Sequence, residues 1–310
     1  MRVLIAEQDF ALYARLLSEA APQLQVCTSG DSAELSALAA DCSVWLGQPD
    51  LLATLLRQGR MPQWAQSTWA GIRPLLVAGL PRNYRLTRAV SVFGQVMAEY
   101  MLTYMLGHER DVLARLVSQV ERKWDDRSAR SLAGRRVLIV GTGEIGQRVA
   151  DFLLPFGVEL YGVATSAREQ APFIEVAPLS QLGRLVGKAD YVLNLLPDTS
   201  STHDLYDAAL FAQFNPDALF INAGRGVAVV DADLVEALKL GHLAGAVIDV
   251  CRQEPLPQRH PFWTAWGLLL TGHSSAPTSP EAMVQVFVEN LRAYEAGDAL
   301  RGEVDFDRGY

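Results

Sequence analysis

An α/β protein with two doubly wound parallel-sheet domains is what this 310-residue chain predicts, and three observations carry that expectation. Short apolar runs alternate with helical patterns in two successive series, the rhythm of parallel strands joined by crossover helices. A glycine-rich turn, GTGEIG at 141–146, stands between an apolar strand and a helix at the head of the second series. Half of the residues are apolar, enough for two cores.

In the first series, RVLIA at 2–6, LQVC at 24–27, SVWLG at 43–47 and LLVAG at 75–79 read as strands. One long helix is expected over 95–122, because Met97, Met101, Tyr104, Met105, Leu113 and Leu116 keep close to helical spacing. A helix of that length suits a bridge between domains. The second series places strands at 136–140, 158–163, 190–196, 218–222, 243–249 and 267–271, six strands of the kind that build a dinucleotide-binding sheet. Ser279, Pro280 and Glu281 supply an N-cap, a first-turn proline and a first-turn acid, and open an amphipathic helix to about residue 295. We place that helix back on the first domain. The expected division is therefore 1–94 plus 275–310, discontinuous, and 95–274, with the active site in the cleft between the two.

Composition excludes several classes. The net charge is −8 with no Lys/Arg cluster, which argues against a nucleic-acid or anionic-membrane surface. No apolar stretch approaches the roughly 20 residues that span a bilayer, and MRVLIAEQDF reads as a first strand rather than a signal peptide. Cys27, Cys42 and Cys251 are widely spaced and match no zinc pattern, so they read as free thiols of a reducing cytosol. The expectation is a cytoplasmic protein without nucleic-acid, membrane or metal partners.

The turn carries the first chemistry. Gly141 permits the tight bend, Gly143 lets backbone approach a pyrophosphate, Gly146 lets the helix pack on the strand, and the helix N-terminus, with Glu144 and Ile145, faces the anion. An acid that bonds the adenosine ribose of NAD(H) is expected at the end of the next strand. Ala164 stands there instead, followed by Thr165, Ser166 and Arg168, two hydroxyls and a guanidinium suited to a 2'-phosphate. NADP(H) is accordingly the expected cofactor, with NAD(H) as the alternative; a solvated polar loop is the plainer reading of the same residues.

Three polar residues follow in order: Arg225 in INAGRG, Glu254 in DVCRQEPLP and His273 in TGHSSAP. Arginine binds oxygen pairs with a planar fork and stays charged. Imidazole beside a carboxylate is a proton donor tuned near neutrality. Together they suit hydride transfer to a 2-keto acid, although each alone is equally a surface or structural residue.

INAGRG, IDVCRQEPLP, HPFW and TGH in this order resemble the D-isomer-specific 2-hydroxyacid dehydrogenase family through most of the chain, and QSTWAG at 66–71 with VFGQVMAEYML at 92–102 is most similar to its glyoxylate/hydroxypyruvate reductase branch. The resemblance implies a flavodoxin-like substrate domain and a Rossmann cofactor domain. It makes Arg225, Glu254 and His273 the catalytic residues, sets Asp249 beside the nicotinamide amide, and assigns Leu196, Pro197, Thr202 and Ala223 to the cofactor. It also implies a small 2-keto or 2-hydroxy acid as substrate and a homodimer built on the cofactor domain through segments such as 95–122. In the loop expected to hold the substrate carboxylate, Trp69 takes a position commonly glycine, so Ala70 and Gly71 offer their amides while the indole narrows the pocket or packs in the core. Cys251 replaces a usual aromatic, Gly272 a usual proline, and Ser274 and Ser275 a more apolar pair. Trp263 and Arg85 are further candidates for lining the pocket. Two other readings stay open: a family dehydrogenase of another acid, such as phosphoglycerate, and a non-catalytic NAD(P)-sensing protein.

Overall fold

Apolar strands buried on both faces must be covered by helices on both sides, and the chain meets that demand twice. The computed structural model describes residues 1–309, which form two compact units, Met1–Val92 with Thr278–Tyr310, and Phe93–Pro277.

In the first unit β1 (Arg2–Ala6), α1 (Phe10–Ala20), β2 (Gln25–Cys27), α2 (Ser32–Ala39), β3 (Val44–Gly47), α3 (Pro49–Arg57), β4 (Trp64–Ser67) and β5 (Arg85–Thr87) follow one another. The five strands are parallel in the order β2-β1-β3-β4-β5, the flavodoxin-like order. The C-terminal helix Pro280–Ala296 starts on the Ser279 hydroxyl, which accepts from the Ala282 amide, and packs against α1. Its Phe287 and Tyr294 stack on Trp64 with centroids 5.2 Å away.

Two sequence expectations fail here. The run LLVAG at 75–79 is not a strand: Pro74 sits in the 3-10 turn Arg73–Leu75, Val77 is exposed and Gly79 has φ +89°. The fourth and fifth strands are instead β4 and β5. They escape notice because Gln66, Ser67 and Thr87, polar yet fully buried, break the apolar run. Their polar atoms are paired inside the fold: Thr87 Oγ1 and Asn290 Nδ2 both donate to Gln66 Oε1, at 2.7 and 2.9 Å.

The second unit runs α4 (Gly94–Glu109), α5 (Val112–Val120), β6 (Arg136–Val140), α6 (Glu144–Leu153), β7 (Glu159–Ala164), β8 (Glu175–Pro178), α7 (Leu182–Val186), β9 (Tyr191–Asn194), α8 (Ala208–Phe211), β10 (Leu219–Asn222), α9 (Asp231–Leu240), β11 (Gly245–Ile248) and β12 (Leu268–Leu270). Its sheet is parallel throughout, in the order β12-β11-β10-β9-β6-β7-β8. The order reverses between β6 and β9, the switch point where such sheets bind ligands. Successive strand residues feed opposite cores: Leu138, Val140, Val192 and Phe220 on one face, Ile139, Leu193 and Ile221 on the other. There are seven strands rather than the expected six. β8 was missed because it is a short edge strand ending in Pro178, where a proline costs no ladder hydrogen bond.

The single helix expected over 95–122 is also two. Asp111 takes a left-handed φ of +51° between α4 and α5, and the carbonyls that would continue α4 are taken by others. Glu109 O accepts from the Arg130 amide at 3.0 Å, and Arg110 O from Arg115 Nε at 3.0 Å. Glu109 itself is buried, bonded to Tyr191 Oη at 2.6 Å and paired with Arg135 Nε at 2.9 Å. That ion pair anchors the last residue of α4.

Candidate active site

Apart from Trp263, in the 3-10 turn Pro261–Trp263, the sequence-predicted site residues of the second unit lie beyond the carboxyl ends of strands. Residues 141–146 follow β6, 165–168 follow β7, 196–202 follow β9, 223–225 follow β10, Asp249 and Glu254 follow β11, and His273 follows β12.

The glycine turn has the form a pyrophosphate needs. Gly141 has φ +108°, and a Cβ there would lie 3.0 Å from the Leu195 backbone. A Cβ on Gly146 would sit 2.1 Å from the Gly141 carbonyl oxygen, so this turn admits no side chain at the third glycine. Gly143 faces open space, and α6 begins after it with no side-chain cap, which leaves first-turn amides for an anion. Glu144 is exposed and Ile145 half-buried. These features fit a dinucleotide.

The β7 loop folds onto that turn. Arg168 Nη2 donates to Thr142 Oγ1 at 2.8 Å, and its Nε to Gln170 Oε1 at 2.7 Å. Gln170 Nε2 in turn donates to Thr142 O at 2.9 Å and to Gln147 Oε1 at 2.6 Å. Thr165 and Ser166 are exposed beside it. After β9, the buried Thr202 hydroxyl donates to Pro197 O at 2.8 Å and accepts from the Thr199 amide at 3.0 Å, giving the loop from Leu196 onward one shape.

Two residues that the sequence reading passed over fix the next pair of loops. Asn194 and Asn222, fully buried at the ends of β9 and β10, bond to each other at 2.9 Å. Asn222 also holds the Gly224 amide and the Arg225 carbonyl, each at 3.3 Å. A Cβ on Gly224 would come 2.8 Å from Leu196 O, so the loop carrying Ala223 passes directly over the loop carrying Leu196. The signal was present in LNLLP and INAGRG: an asparagine closing an apolar strand must have a partner.

Asp249 is a buried hub. Its Oδ1 accepts from Thr271 Oγ1 at 2.6 Å and the Ser274 amide at 2.8 Å, its Oδ2 from the Ser275 amide at 3.2 Å, and its carbonyl from the His273 amide at 2.6 Å. Tyr100 of α4 reaches Thr271 Oγ1 at 2.8 Å. These bonds hold the loop in which Gly272 and His273 have φ of +67° and +56°. Proline, locked near −65°, is incompatible with the φ of Gly272.

Three charged groups are brought together. His273 Nδ1 lies 2.6 Å from Glu254 Oε2, and Glu254 Oε1 accepts from the Cys251 amide at 2.8 Å. The hydrogen bond to Glu254 raises the imidazole pKa; burial and the Arg225 charge oppose the rise, while Asp249 adds to it. Burial pushes the Glu254 carboxyl upward, but the bonds from His273 and Cys251 and the charges of His273 and Arg225 outweigh it and leave it below the usual carboxylate range. Arg225 donates through Nη1 to Gly224 O at 2.6 Å. The ring therefore keeps its proton until the pH rises through a value above that of free imidazole. With Nδ1 committed to Glu254, Nε2 is the atom able to hand over a proton.

In the first unit the Ser67 hydroxyl accepts from the Trp69 amide at 3.1 Å and donates to its carbonyl at 2.9 Å, which fixes the start of the loop through Ala70 and Gly71. Trp69 is 41% exposed, so core packing of that indole is excluded. Arg85 is committed to Glu303 through Nε and Nη2, at 2.7 and 2.9 Å. Trp263 is exposed, with Nε1 on Pro257 O.

Glu254→Gln is expected to lower the midpoint of the His273 imidazole titration, followed by NMR across pH, because the largest raising contribution disappears. An unmoved midpoint would show that Glu254 does not hold the proton on the ring.

The family model described as "D-isomer specific 2-hydroxyacid dehydrogenase, NAD binding domain" matches residues 102–275. Glyoxylate/hydroxypyruvate reductase A of Photorhabdus laumondii is 32% identical over 236 residues, 76% of this chain and 74% of the relative. A D-isomer specific 2-hydroxyacid dehydrogenase family protein from Aeromonas salmonicida has a crystal structure that superposes with TM-score 0.92 at 36% identity, over 99% of each chain. The NADPH-dependent glyoxylate/hydroxypyruvate reductase of Sinorhizobium meliloti, in complex with NADP and sulfate, superposes with TM-score 0.85 at 27% identity, over 100% of this chain and 99% of that one. With a dinucleotide-binding sheet and these relatives, the chain belongs to the D-isomer specific 2-hydroxyacid dehydrogenase family, in its glyoxylate/hydroxypyruvate reductase branch, and is an NAD(P)-dependent oxidoreductase.

Proposed function

We propose that the protein reduces a small 2-keto acid of the glyoxylate or hydroxypyruvate type with NADPH, and that the observation carrying this reading is the 2.6 Å contact of His273 with Glu254 in the field of Arg225. Arg225 holds the substrate carboxylate and polarises the keto oxygen, a task for which a permanently charged fork is suited. His273 Nε2 gives its proton to the oxygen as it becomes an alkoxide, and Glu254 stabilises the imidazolium beforehand. A bound nicotinamide cofactor would supply the hydride, and Gly141, Gly143, Glu144, Ile145 and Gly146 with Leu196, Pro197, Thr202, Ala223 and Asp249 are the residues that would hold it.

Preference for NADPH rests on the absence of an acid at Ala164 and on Arg168, which Thr142 and Gln170 hold at the glycine turn with Thr165 and Ser166 beside it. NADP bound to the Sinorhizobium meliloti relative supports the same choice.

The protein is proposed to act as a homodimer through α5. Val112, Leu113, Leu116, Val117 and Val120 form one face of that helix, each more than half exposed, and Trp124 beyond it is 92% exposed. Contiguous apolar surface of this kind marks an interface, and an isologous contact would pair this face with the same face of a second copy.

Absorbance at the nicotinamide band with a panel of 2-keto acids tests the reaction: His273→Ala should lose roughly 100- to 10,000-fold in turnover while its NADPH affinity changes little. Turnover equal to wild type sinks the mechanism. Arg168→Ala should raise KM for NADPH by about tenfold and leave KM for NADH in place; an equal effect on both refutes the 2'-phosphate role. Leu116→Asp should convert a dimer into a 33.9 kDa species in sedimentation equilibrium, and a monomeric wild type removes the dimer proposal.

A further inference from the structure

Arg252 stands two residues before Glu254, and neither the reaction nor the cofactor assigns it work. In the fold its guanidinium ties three loops together. Nε donates to Val229 O at 2.8 Å, and Nη2 reaches the same oxygen and also Val227 O at 3.2 Å. The same nitrogen meets the Asp204 carboxylate, and Asp231, braced by His260 Nε2 at 3.2 Å, lies 3.8 Å from Nε. Val227 and Val229 belong to the loop that begins with Arg225. Asp204 belongs to the loop after β9, and its amide also donates to Val227 O at 2.9 Å.

The loops are otherwise joined by bare backbone. A Cβ on Gly226 would fall 2.0 Å from the Cys251 carbonyl carbon, so the Arg225 loop and the Glu254 loop touch with no side chain between them. Arg252 adds side-chain ties between them, from its guanidinium to the Val227 and Val229 carbonyls. Lysine, a point charge, cannot reach two carbonyls and a carboxylate with one planar group.

We propose that Arg252 is a positioning residue of the reaction, which locks the Glu254 loop to the Arg225 loop so that the acid/base pair and the anion clamp keep one geometry. The inference rests on the roles given above to Arg225, Glu254 and His273. Misplacing a catalytic group by about 1 Å can cost roughly 100-fold in rate, and a loosened Glu254 also loses its hold on the ring proton. The charged groups acting on His273 are Glu254, Asp249 and Arg225; of these, Glu254 and Arg225 ride on the loops Arg252 joins.

Arg252→Met and Arg252→Lys decide the matter with glyoxylate as the probe substrate. For Arg252→Met we expect kcat to fall by about 100-fold, NADPH affinity by fluorescence titration to be unchanged, and the alkaline limb of kcat to move to lower pH, with Arg252→Lys recovering part of the loss. Wild-type kcat in Arg252→Met, or a loss with the alkaline limb in place, overturns the proposal. If Arg252→Met does not fold by circular dichroism, Arg252→Lys is judged by the same limb, displaced in support or unmoved in refutation. A wild-type protein that reduces no 2-keto acid sinks the functional reading instead. The positioning role is then decided by the NMR titration midpoint of His273, lower in the variant if Arg252 acts as proposed and unchanged if it does not.

Discussion

The parallel register of the seven-stranded sheet is the constraint on which the site depends. Parallel strands send all their carboxyl ends to one edge, and crossover helices return the chain so that each following loop starts from that edge. Segments scattered from residue 141 to residue 273 thereby become neighbours without any local attraction between them. The register also imposes a cost: the strand ends are buried, and the polar backbone leaving them must be satisfied there. Asn194, Asn222 and Asp249, each at or just past a strand end, meet that need with side-chain bonds to the outgoing loops.

The electrostatics follow from the same crowding. His273, the Cys251 amide and Arg225 outweigh burial and lower the Glu254 carboxyl below its ordinary value. The bond His273 donates to Glu254 outweighs burial and Arg225 and raises the imidazole above its ordinary value. Glu254 and His273 each depend on the other and on Arg225. His273 also sits in a left-handed conformation, uncommon for a residue other than glycine, and the Asp249 carbonyl and carboxylate hold it there through the amides of residues 273, 274 and 275.

Where sequence and fold part company, burial and exposure have exchanged their usual residues. β4 and β5 hide behind Gln66, Ser67 and Thr87, because a sheet interior accepts polar side chains once Asn290 and neighbouring hydroxyls pair them. The run 75–79 looks like a strand, but Pro74 and the positive φ of Gly79 turn it aside. The apolar spacing that suggested one helix over 95–122 belongs to two. The first half faces the core, with Met97, Met101 and Met105 buried, whereas Leu113 and Leu116 stay outside it. Periodicity reports that a helix has an apolar face and is silent on what covers it.

By itself the chain determined the βαβ rhythm, the strand-turn-helix around Gly141 to Gly146 and the capped start of the last helix, because those depend on residues adjacent in sequence. It also carried the family, through motifs kept in order. Only the tertiary structure decided which loops touch: the Asn194–Asn222 bond, the Asp249 hub, the break at Asp111, Arg168 on Thr142 and the ties of Arg252. Apart from the break at Asp111, each joins residues distant in sequence whose meeting is set by strand order and register, and no local propensity encodes a distance between the ends of two strands.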